Sequence, residues 1–178
     1  MQSHAPIAAM AQPYIPQVDN YNAVEAFVRR VYNPNGDPEI DRNLIIQPYA
    51  YQVDATLTAA GSPSSEVIQV AANADFILTD LTYFAEDTTN DAQDVTPMIL
   101  LTMSDLGSQQ PLTSEAVLLP TLAVKASGSN RRYVYPRIIS GRSGLQVQMS
   151  NNSTALGDAT DYIIFLTFIG VQVYRTGN

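Results

Sequence analysis

The sequence predicts an all-β fold over most of its length. After Arg42 the chain is a series of short segments rich in β-branched and aromatic residues, which favour strands. Gly, Ser, Pro, Asn and Asp separate these segments, and there are no heptads or internal repeats. The predicted strands are 44–58, 66–71, 75–85, 96–105, 116–124, 131–139, 145–149 and 162–174. Eight antiparallel strands in two sheets are typical of a jelly-roll-like β-sandwich, which we assign to residues 44–178.

The strands differ in how clearly their pattern shows a buried face. Residues 145–150 alternate strictly between apolar and polar side chains, so one face is predicted to be buried and the other to contact water. Residues 116–124 are apolar but are interrupted by Pro120. Residues 162–174 form a long strand that closes the predicted domain.

Residues 1–43 are predicted to be an N-terminal extended arm that contains one short helix. Pro6, Pro13 and Pro16 favour extended geometry in its first part. Tyr14 and Ile15 make this part too apolar for a plain solvent-exposed tail. We therefore expect the arm to lie on a neighbouring subunit.

The helix is predicted at about residues 20–32. Four apolar residues recur there at the spacing of one helical face: Val24, Phe27, Val28 and Val31. Asn20 or Asn22 is placed to cap the first turn. The turn-rich residues 33–38 end the helix, and a short second arm is predicted to about Arg42.

The composition restricts the possible functions. The chain has 178 residues, of which 46% are apolar and only 15% are charged, which predicts a single domain whose surface is partly covered by other subunits. The absence of Cys excludes disulfides, zinc knuckles and thiol catalysis. The net charge of −8 argues against nucleic acid as the main ligand. We expect neither a signal peptide in residues 1–10 nor a membrane-spanning segment.

Charges are segregated along the chain. Residues 43–124 contain ten acidic residues and no Lys or Arg, whereas residues 116–157 contain five basic residues and no acidic ones. Either the two segments pair within one subunit, or an acidic and a basic face meet across subunits. In the second alternative the basic and aromatic residues 131–137 form an intersubunit patch, which fits the net charge better than stacking on single-stranded nucleic acid.

No motif predicts a catalytic residue, a metal ligand or a cofactor. The single histidine, His4, lies in the arm, so a histidine-based triad or a cupin-type metal site is not expected. Residues 86–94 are rich in oxygen ligands and form either a calcium site or, as their spacing favours, a solvated hairpin loop. Residues 141–144 lack the last glycine of a nucleophile elbow and are predicted to be a tight turn. The glycosylation sequons at 151–154 are predicted to be a turn before the last strand.

Four passages resemble those of a known group of virion proteins. They are Phe-Ile-Leu-Thr-Asp-Leu (76–81), Ser-Asp-Leu-Gly-Ser (104–108), Tyr-Pro-Arg-Ile-Ile (135–139) and Phe-Leu-Thr-Phe-Ile-Gly-Val-Gln-Val-Tyr (165–174). Over roughly residues 67–174 the chain is similar to structural proteins of tailed-bacteriophage virions, such as jelly-roll capsid cement, decoration or minor capsid proteins. The resemblance implies a β-sandwich, no catalysis and attachment to a capsid or, as the next choice, to a collar or tail.

The sequence thus predicts a non-enzymatic virion protein that binds and stabilises a bacteriophage capsid. Its expected partners are the major capsid protein and copies of itself, as a dimer or trimer, without cofactor, nucleic acid or membrane. It would be assembled in the host bacterial cytoplasm and reside in the virion. The rival hypotheses are a receptor- or glycan-binding module and a glycoside hydrolase of the particle. The predicted interface residues are Tyr14, Ile15, Phe27, Arg29, Arg30, Arg131, Arg132, Tyr133, Tyr135 and Arg137.

Overall fold

The computed structural model of the chain describes residues 17–59, 63–127, 132–157 and 159–175, with the backbone alone at 17–21, 132–135 and 156. The helices are α1 (Gln17–Tyr32), α2 (Pro38–Arg42) and α3 (Leu119–Leu122), and a 3-10 helix spans Ser153–Leu156. The strands are β1 (Leu44–Leu57), β2 (Ser64–Gln69), β3 (Ala74–Asp87), β4 (Ala92–Gln93), β5 (Ile99–Asp105), β6 (Gln110–Pro111), β7 (Val117–Leu118), β8 (Val124–Lys125), β9 (Arg132–Ile139), β10 (Gly144–Asn151) and β11 (Tyr162–Arg175).

The strands form two sheets whose order is that of a jelly roll. Sheet one has the order β1-β11-β3-β9, and the short strands β4 and β8 also pair with β3. Sheet two has the order β2-β10-β5-β7, and β6 also pairs with β5. The eight strands of these two orders are the principal strands. When they are numbered one to eight along the chain, the two sheets have the orders 1-8-3-6 and 2-7-4-5, and all neighbouring pairs are antiparallel. The prediction of a jelly-roll-like β-sandwich is confirmed.

The core lies between the two sheets. Its large buried side chains include Phe76, Leu78, Leu81 and Phe168 from sheet one and Leu101, Met103 and Leu145 from sheet two. Each such side chain stabilises the fold by roughly 1.5–3 kcal/mol relative to an exposed one. Strands β5 and β10 alternate between buried and more exposed residues, as predicted for residues 145–150.

Strand β3 contains an extra residue that interrupts its alternation. Gly170 of β11 pairs with Leu78, although the preceding Ile169 pairs with Asp80, so Thr79 is left out of the ladder. The Thr79 hydroxyl donates a hydrogen bond of 3.1 Å to the carbonyl oxygen of Ile169. Because the side-chain period of a strand is two, this β-bulge moves the core-facing residues of β3 from even to odd positions.

Helix α1 packs on the outer face of sheet one. Val28 is fully buried there against Leu44, Ile77, Val171 and Val173, and these five residues are called the outer cluster. The end of the helix is fixed by Tyr32, whose hydroxyl donates to Asp75 Oδ2 at 2.8 Å and whose ring centre lies 4.7 Å from the Arg175 guanidinium. These contacts bind the helix to β3 and β11.

The predicted start of the helix is wrong. The helix begins at Gln17, so Asn20 and Asn22 lie within it and not at its N-cap. Pro16 directly precedes the helix, a position next to the first turn where proline is well tolerated. Val31 is 42% exposed, and Tyr32 packs against the outer cluster in its place.

Two segments that were predicted to be extended contain short helices. The predicted second arm contains α2, which Asp37 caps by accepting a hydrogen bond of 2.8 Å from the backbone N–H of Glu39. The predicted strand 116–124 is wrong, since it divides into β7, α3 and β8. Pro120 explains the difference, because it lacks the N–H that a strand ladder needs but fits the first turn of a helix.

Candidate interaction surfaces

The structure places the predicted interface residues on two separate elements. Helix α1 carries Phe27, Arg29 and Arg30. Strand β9 carries Arg132, Tyr133, Tyr135 and Arg137. The predicted residues that lie outside the described residues are Tyr14, Ile15 and Arg131. A role for this set in an interface stays a prediction.

Two of the three residues on α1 make contacts within the subunit. Phe27 is half-buried against the outer cluster. Arg29 forms an ion pair of 2.7 Å with Glu25 and a second one with Asp41 of α2, so it connects the two helices. Arg30 is exposed and forms no ion pair within the described part of the chain.

Few ion pairs join the acidic and basic segments among the residues that the structure describes. Lys125 Nζ lies 3.7 Å from Asp94 Oδ1 and donates a hydrogen bond to the Asp94 carbonyl oxygen. Asp80 of β3 stands opposite Arg132 of β9 in the strand ladder. Arg137 is exposed and forms no ion pair in this part of the chain. Among the basic residues of this segment whose side chains the structure describes, Lys125 pairs within the subunit and Arg137 does not.

The outer face of sheet two contains no charged residue on its described strands. Every second side chain of these strands points away from the core. These residues, called the neutral face, are Ser65, Val67 and Gln69 on β2, Gly144, Gln146, Gln148 and Ser150 on β10, Leu100, Thr102 and Ser104 on β5, Pro111 on β6 and Leu118 on β7. The lack of charge is unusual for a chain with 17 acidic and 9 basic residues.

The polar side chains of the neutral face bond to one another only loosely. Gln146 Nε2 donates to Ser65 Oγ at 3.3 Å, and Thr102 Oγ1 donates to Gln148 Oε1 at 3.4 Å. These distances are long for hydrogen bonds. Because each glutamine amide has two donor hydrogens and an acceptor oxygen, the neutral face keeps hydrogen-bonding capacity for a partner.

Exposed apolar side chains lie at both ends of the neutral face. Val67 and Leu106 are 43% and 44% exposed, and at the opposite end Leu118 is 36% exposed. A methyl group added to Gly144 would lie 3.0 Å from Val67 Cγ1 and 3.1 Å from Leu106 Cδ1. Gly144 therefore allows these two side chains to lie together over β10.

A buried carboxylate fixes the loop after β5, which carries the exposed Leu106 beside the neutral face. Asp105 accepts hydrogen bonds from Ser143 Oγ at 2.7 Å, Ser108 Oγ at 2.6 Å and the Gly107 N–H at 2.9 Å. Burial raises the pKa of this carboxyl, but the hydrogen bonds outweigh burial and hold its pKa below the ordinary value. The ionised form of Asp105 is therefore part of the folded structure.

Substitution of Ser143 tests this carboxylate. We expect Ser143→Ala to lower the free energy of unfolding by about 2 kcal/mol at pH 7, because it removes a hydrogen bond to a buried charge. The folded-state pKa of Asp105 lies below the unfolded value of about 3.9, so the contribution is complete above that pH and is lost as the pH falls through the folded-state pKa. Urea denaturation at a series of pH values measures this.

The control for Ser143→Ala is Ser104→Ala on the neutral face. Ser104 is half-exposed, and its substitution should change the free energy of unfolding by less than about 0.5 kcal/mol. Equal destabilisation by the two substitutions at pH 7 would contradict the role given to Ser143.

The acidic segment 86–94 forms the predicted hairpin loop between β3 and β4. Its Asp87 carboxylate turns back onto the loop and accepts hydrogen bonds from the Thr89 N–H at 2.9 Å and from the side-chain amide of Asn90 at 2.8 Å. The Asn90 side chain is the main cause of a lowered pKa at Asp87. Within the described ranges, no group of three or more His, Cys, Asp or Glu residues is arranged to hold a metal ion.

Residues 141–144 form the predicted tight turn, whereas the predicted turn at 151–154 is wrong, since these residues end strand β10 and begin the 3-10 helix. The Ser143 N–H donates to the Ser140 carbonyl oxygen at 3.0 Å, which closes the tight turn between β9 and β10. At the sequon, the side-chain amide of Asn151 donates to the carbonyl oxygens of Leu57 at 3.1 Å and Thr160 at 2.7 Å. This asparagine therefore joins the ends of β1 and β10 to the start of the last strand.

The sequence reasoning missed the neutral face. The polar side of residues 145–150 was visible as an alternation. Residues 65–69 and 100–104 join it only because β10 lies between β2 and β5, so the charge-free surface depends on pairing between distant parts of the chain. The missing Lys and Arg in residues 43–124 was the one available signal.

Comparison with solved structures finds weak likenesses to chains of viral capsids. A chain of the cyanophage Pam1 capsid asymmetric unit is 16% identical with a TM-score of 0.36, and the match covers 75% of this chain and 85% of that one. A chain of the infectious bursal disease virus VP2 subviral particle is 11% identical with a TM-score of 0.29, covering 81% of this chain and 42% of that one. At such TM-scores the likeness carries no argument about function. No protein-family model and no curated protein sequence matches the chain.

Within the part of the chain that the structure describes, none of the helices has both the length and the apolar composition needed to cross a membrane.

Proposed function

We propose that the chain is a non-enzymatic structural subunit of a virus particle, which binds and stabilises a tailed-bacteriophage capsid as a cement or decoration protein. The observation that carries this proposal is the neutral face, since none of the outward-facing residues on the described strands of sheet two is charged. Soluble monomers normally distribute charges over their surfaces, whereas the centres of interfaces are depleted of charged residues. A face of this kind is suited to being covered by another subunit.

The chemistry of the neutral face favours a protein partner over a sugar. Jelly rolls serve in viral capsids and in lectins, so the fold alone does not choose between these functions. The side chains of the neutral face are amides, hydroxyls and aliphatic groups, and none of them is aromatic, so a sugar ring has no aromatic ring to stack on. Neutral hydrogen-bonding groups bordered by exposed leucine and valine side chains are typical of a contact between subunits.

The proposed partners are the major capsid protein and further copies of this chain. Residues 1–16 precede α1 and contain the apolar residues Tyr14 and Ile15, which we assign to a contact on a neighbouring subunit. Arg30 and Arg137 are exposed, and a planar guanidinium is well suited to bidentate contacts with carboxylates of a partner. The proposed location is the virion.

The proposal is tested on particles of the virus that encodes the chain. Mass spectrometry of purified particles should find the chain in a fixed ratio to the shell protein. Recombinant chain added to particles that lack it should bind to saturation and raise the temperature at which the particles release their genome. Absence of the chain from particles, together with measurable turnover of a substrate by the isolated protein, would refute the proposal.

A further inference from the structure

We propose that two copies of the chain pair through their neutral faces around a two-fold axis. This inference rests on the proposed function, because it names the surface by which copies of the structural subunit meet. In such a contact the same patch serves both partners, so it must be complementary to itself. Two sheets packed in this way would lie about 10 Å apart.

The charge of the chain favours a second copy as the occupant. Each copy carries a net charge of −8, so contacts between charged faces of two copies bring like charges together. A partner of opposite charge would be attracted more strongly by a charged face, and the described strands of the neutral face carry no charge with which to attract it. A face whose described strands carry no charged residue suits a contact between two identical acidic chains, because it brings no like charges together.

The hydrogen-bonding groups of the neutral face are also complementary to themselves. Gln146 and Gln148 lie on the central strand β10, and each amide can both donate and accept. Their bonds to Ser65 and Thr102 within the subunit are long, at 3.3 and 3.4 Å, and leave further donors and acceptors unused. An amide of one copy can therefore bond to an amide of the other in either orientation.

The area of the neutral face predicts a contact of moderate strength. Strands β2, β10 and β5 have six, eight and seven residues, and β6 and β7 have two each. At about 3.4 Å per residue and about 4.8 Å between strands, they span a flat area of roughly 400 Å². Side-chain relief and the exposed Leu106 beyond the end of β5 add to this, but a standard interface buries about 800 Å² per partner. We therefore expect dimers that dissociate in the micromolar range in solution, a weakness that many repeated copies on a particle would offset.

The test is sedimentation of the full chain at about 1 to 200 µM, with Gln148→Glu as the disrupting variant. Gln148 is exposed, so the variant should fold normally, yet it places two negative charges close together across the axis. We expect its dissociation constant to rise at least tenfold. The matched control is Gln52→Glu, the same change at an exposed position of β1 in sheet one, which should leave association unchanged.

A mixing experiment adds a readout that misfolding cannot imitate. Gln148→Glu and Gln148→Lys should each associate poorly alone but recover association when mixed at low salt. Dimers of the unchanged chain should keep or increase their affinity when salt is raised, because no ion pair holds the neutral faces together. A chain that stays monomeric at every concentration, or an assembly that Gln148→Glu leaves intact, would overturn the inference.

Failure of this inference differs from failure of the proposed function. A monomeric chain that still binds particles, and binds them less well as Gln148→Glu, would show that the shell protein covers the neutral face. That result would refute the pairing of two copies through their neutral faces and would support the proposed role as a structural subunit. A chain that forms the predicted dimers but never binds particles would remove the structural role instead.

Discussion

Replacing Gly170 with alanine is expected to lower the free energy of unfolding by about 3 kcal/mol, at the upper end of what overpacking costs. An added methyl group at Gly170 would lie 2.0 Å from the backbone oxygen of Ile77 and 3.1 Å from Phe76 Cε2. Gly170 stands beside the bulge at Thr79, where β3 and β11 approach closely in the middle of sheet one. Because the obstacle is main-chain, it moves only if the strand pairing moves.

The measurement is thermal and urea denaturation of Gly170→Ala beside Gly36→Ala. The melting temperature of Gly170→Ala should fall by roughly 6–12 °C for a chain of this size. A methyl group on Gly36 meets no atom within 4 Å, although its φ of +67° adds left-handed strain. The control should therefore lose only about 1 kcal/mol. A loss at Gly170 no larger than that at Gly36 would show that the bulge relaxes to admit a side chain.

Deletion of residues 1–16 is expected to weaken binding to particles about 100-fold, which corresponds to about 2.7 kcal/mol. The segment contains Ile7, Met10, Tyr14 and Ile15, and large apolar residues that anchor an interface often contribute about 2 kcal/mol or more each. The cut leaves helix α1 whole, because the helix begins at Gln17. Among the described residues, the core between the sheets is formed from Tyr51 onward, so the melting temperature should stay within about 2 °C of that of the full chain.

A second variant separates the apolar contacts of the arm from its length. It keeps all sixteen residues but carries serine in place of Ile7, Met10, Tyr14 and Ile15. If the arm anchors the chain through apolar contacts, this variant should bind particles as poorly as the deletion. Full binding by both variants would contradict a role for residues 1–16 in attachment to the particle.

The strands were predictable where one side of a strand meets the core and the other meets water. In β10 and β5 the alternation in the sequence is the alternation in the structure. In β3 the residues Phe76 to Leu78 read as a continuous apolar run, because Ile77 packs against helix α1 on the outer face while its neighbours face the core. The extra Thr79 then shifts the core-facing positions, which the sequence did not show.

The secondary structure was predicted wrongly where the same residues are compatible with two kinds of element. Pro120 forbids an uninterrupted strand, and the sequence did not show that a helical turn, α3, would take its place. Asp37 and Pro38 were assigned to a turn, whereas they also form a helix start, which the structure uses in α2. Both errors concern short elements, in which tertiary contacts decide between turn, helix and strand.

The candidate surface was less predictable than the fold. Interface residues were sought where charged and aromatic residues cluster in sequence, as in 131–137. The neutral face instead assembles uncharged residues from β2, β10, β5 and β7, which no local window contains. A surface defined by the absence of charge becomes visible only when the strand order is known.

Electron cryomicroscopy of the intact particle tests the central claim most directly. The account predicts repeated jelly-roll densities for this chain on the shell, with Gln146 and Gln148 covered by another subunit in each copy. A particle map in which the chain is absent, or in which the neutral face of every copy contacts only solvent, would contradict it.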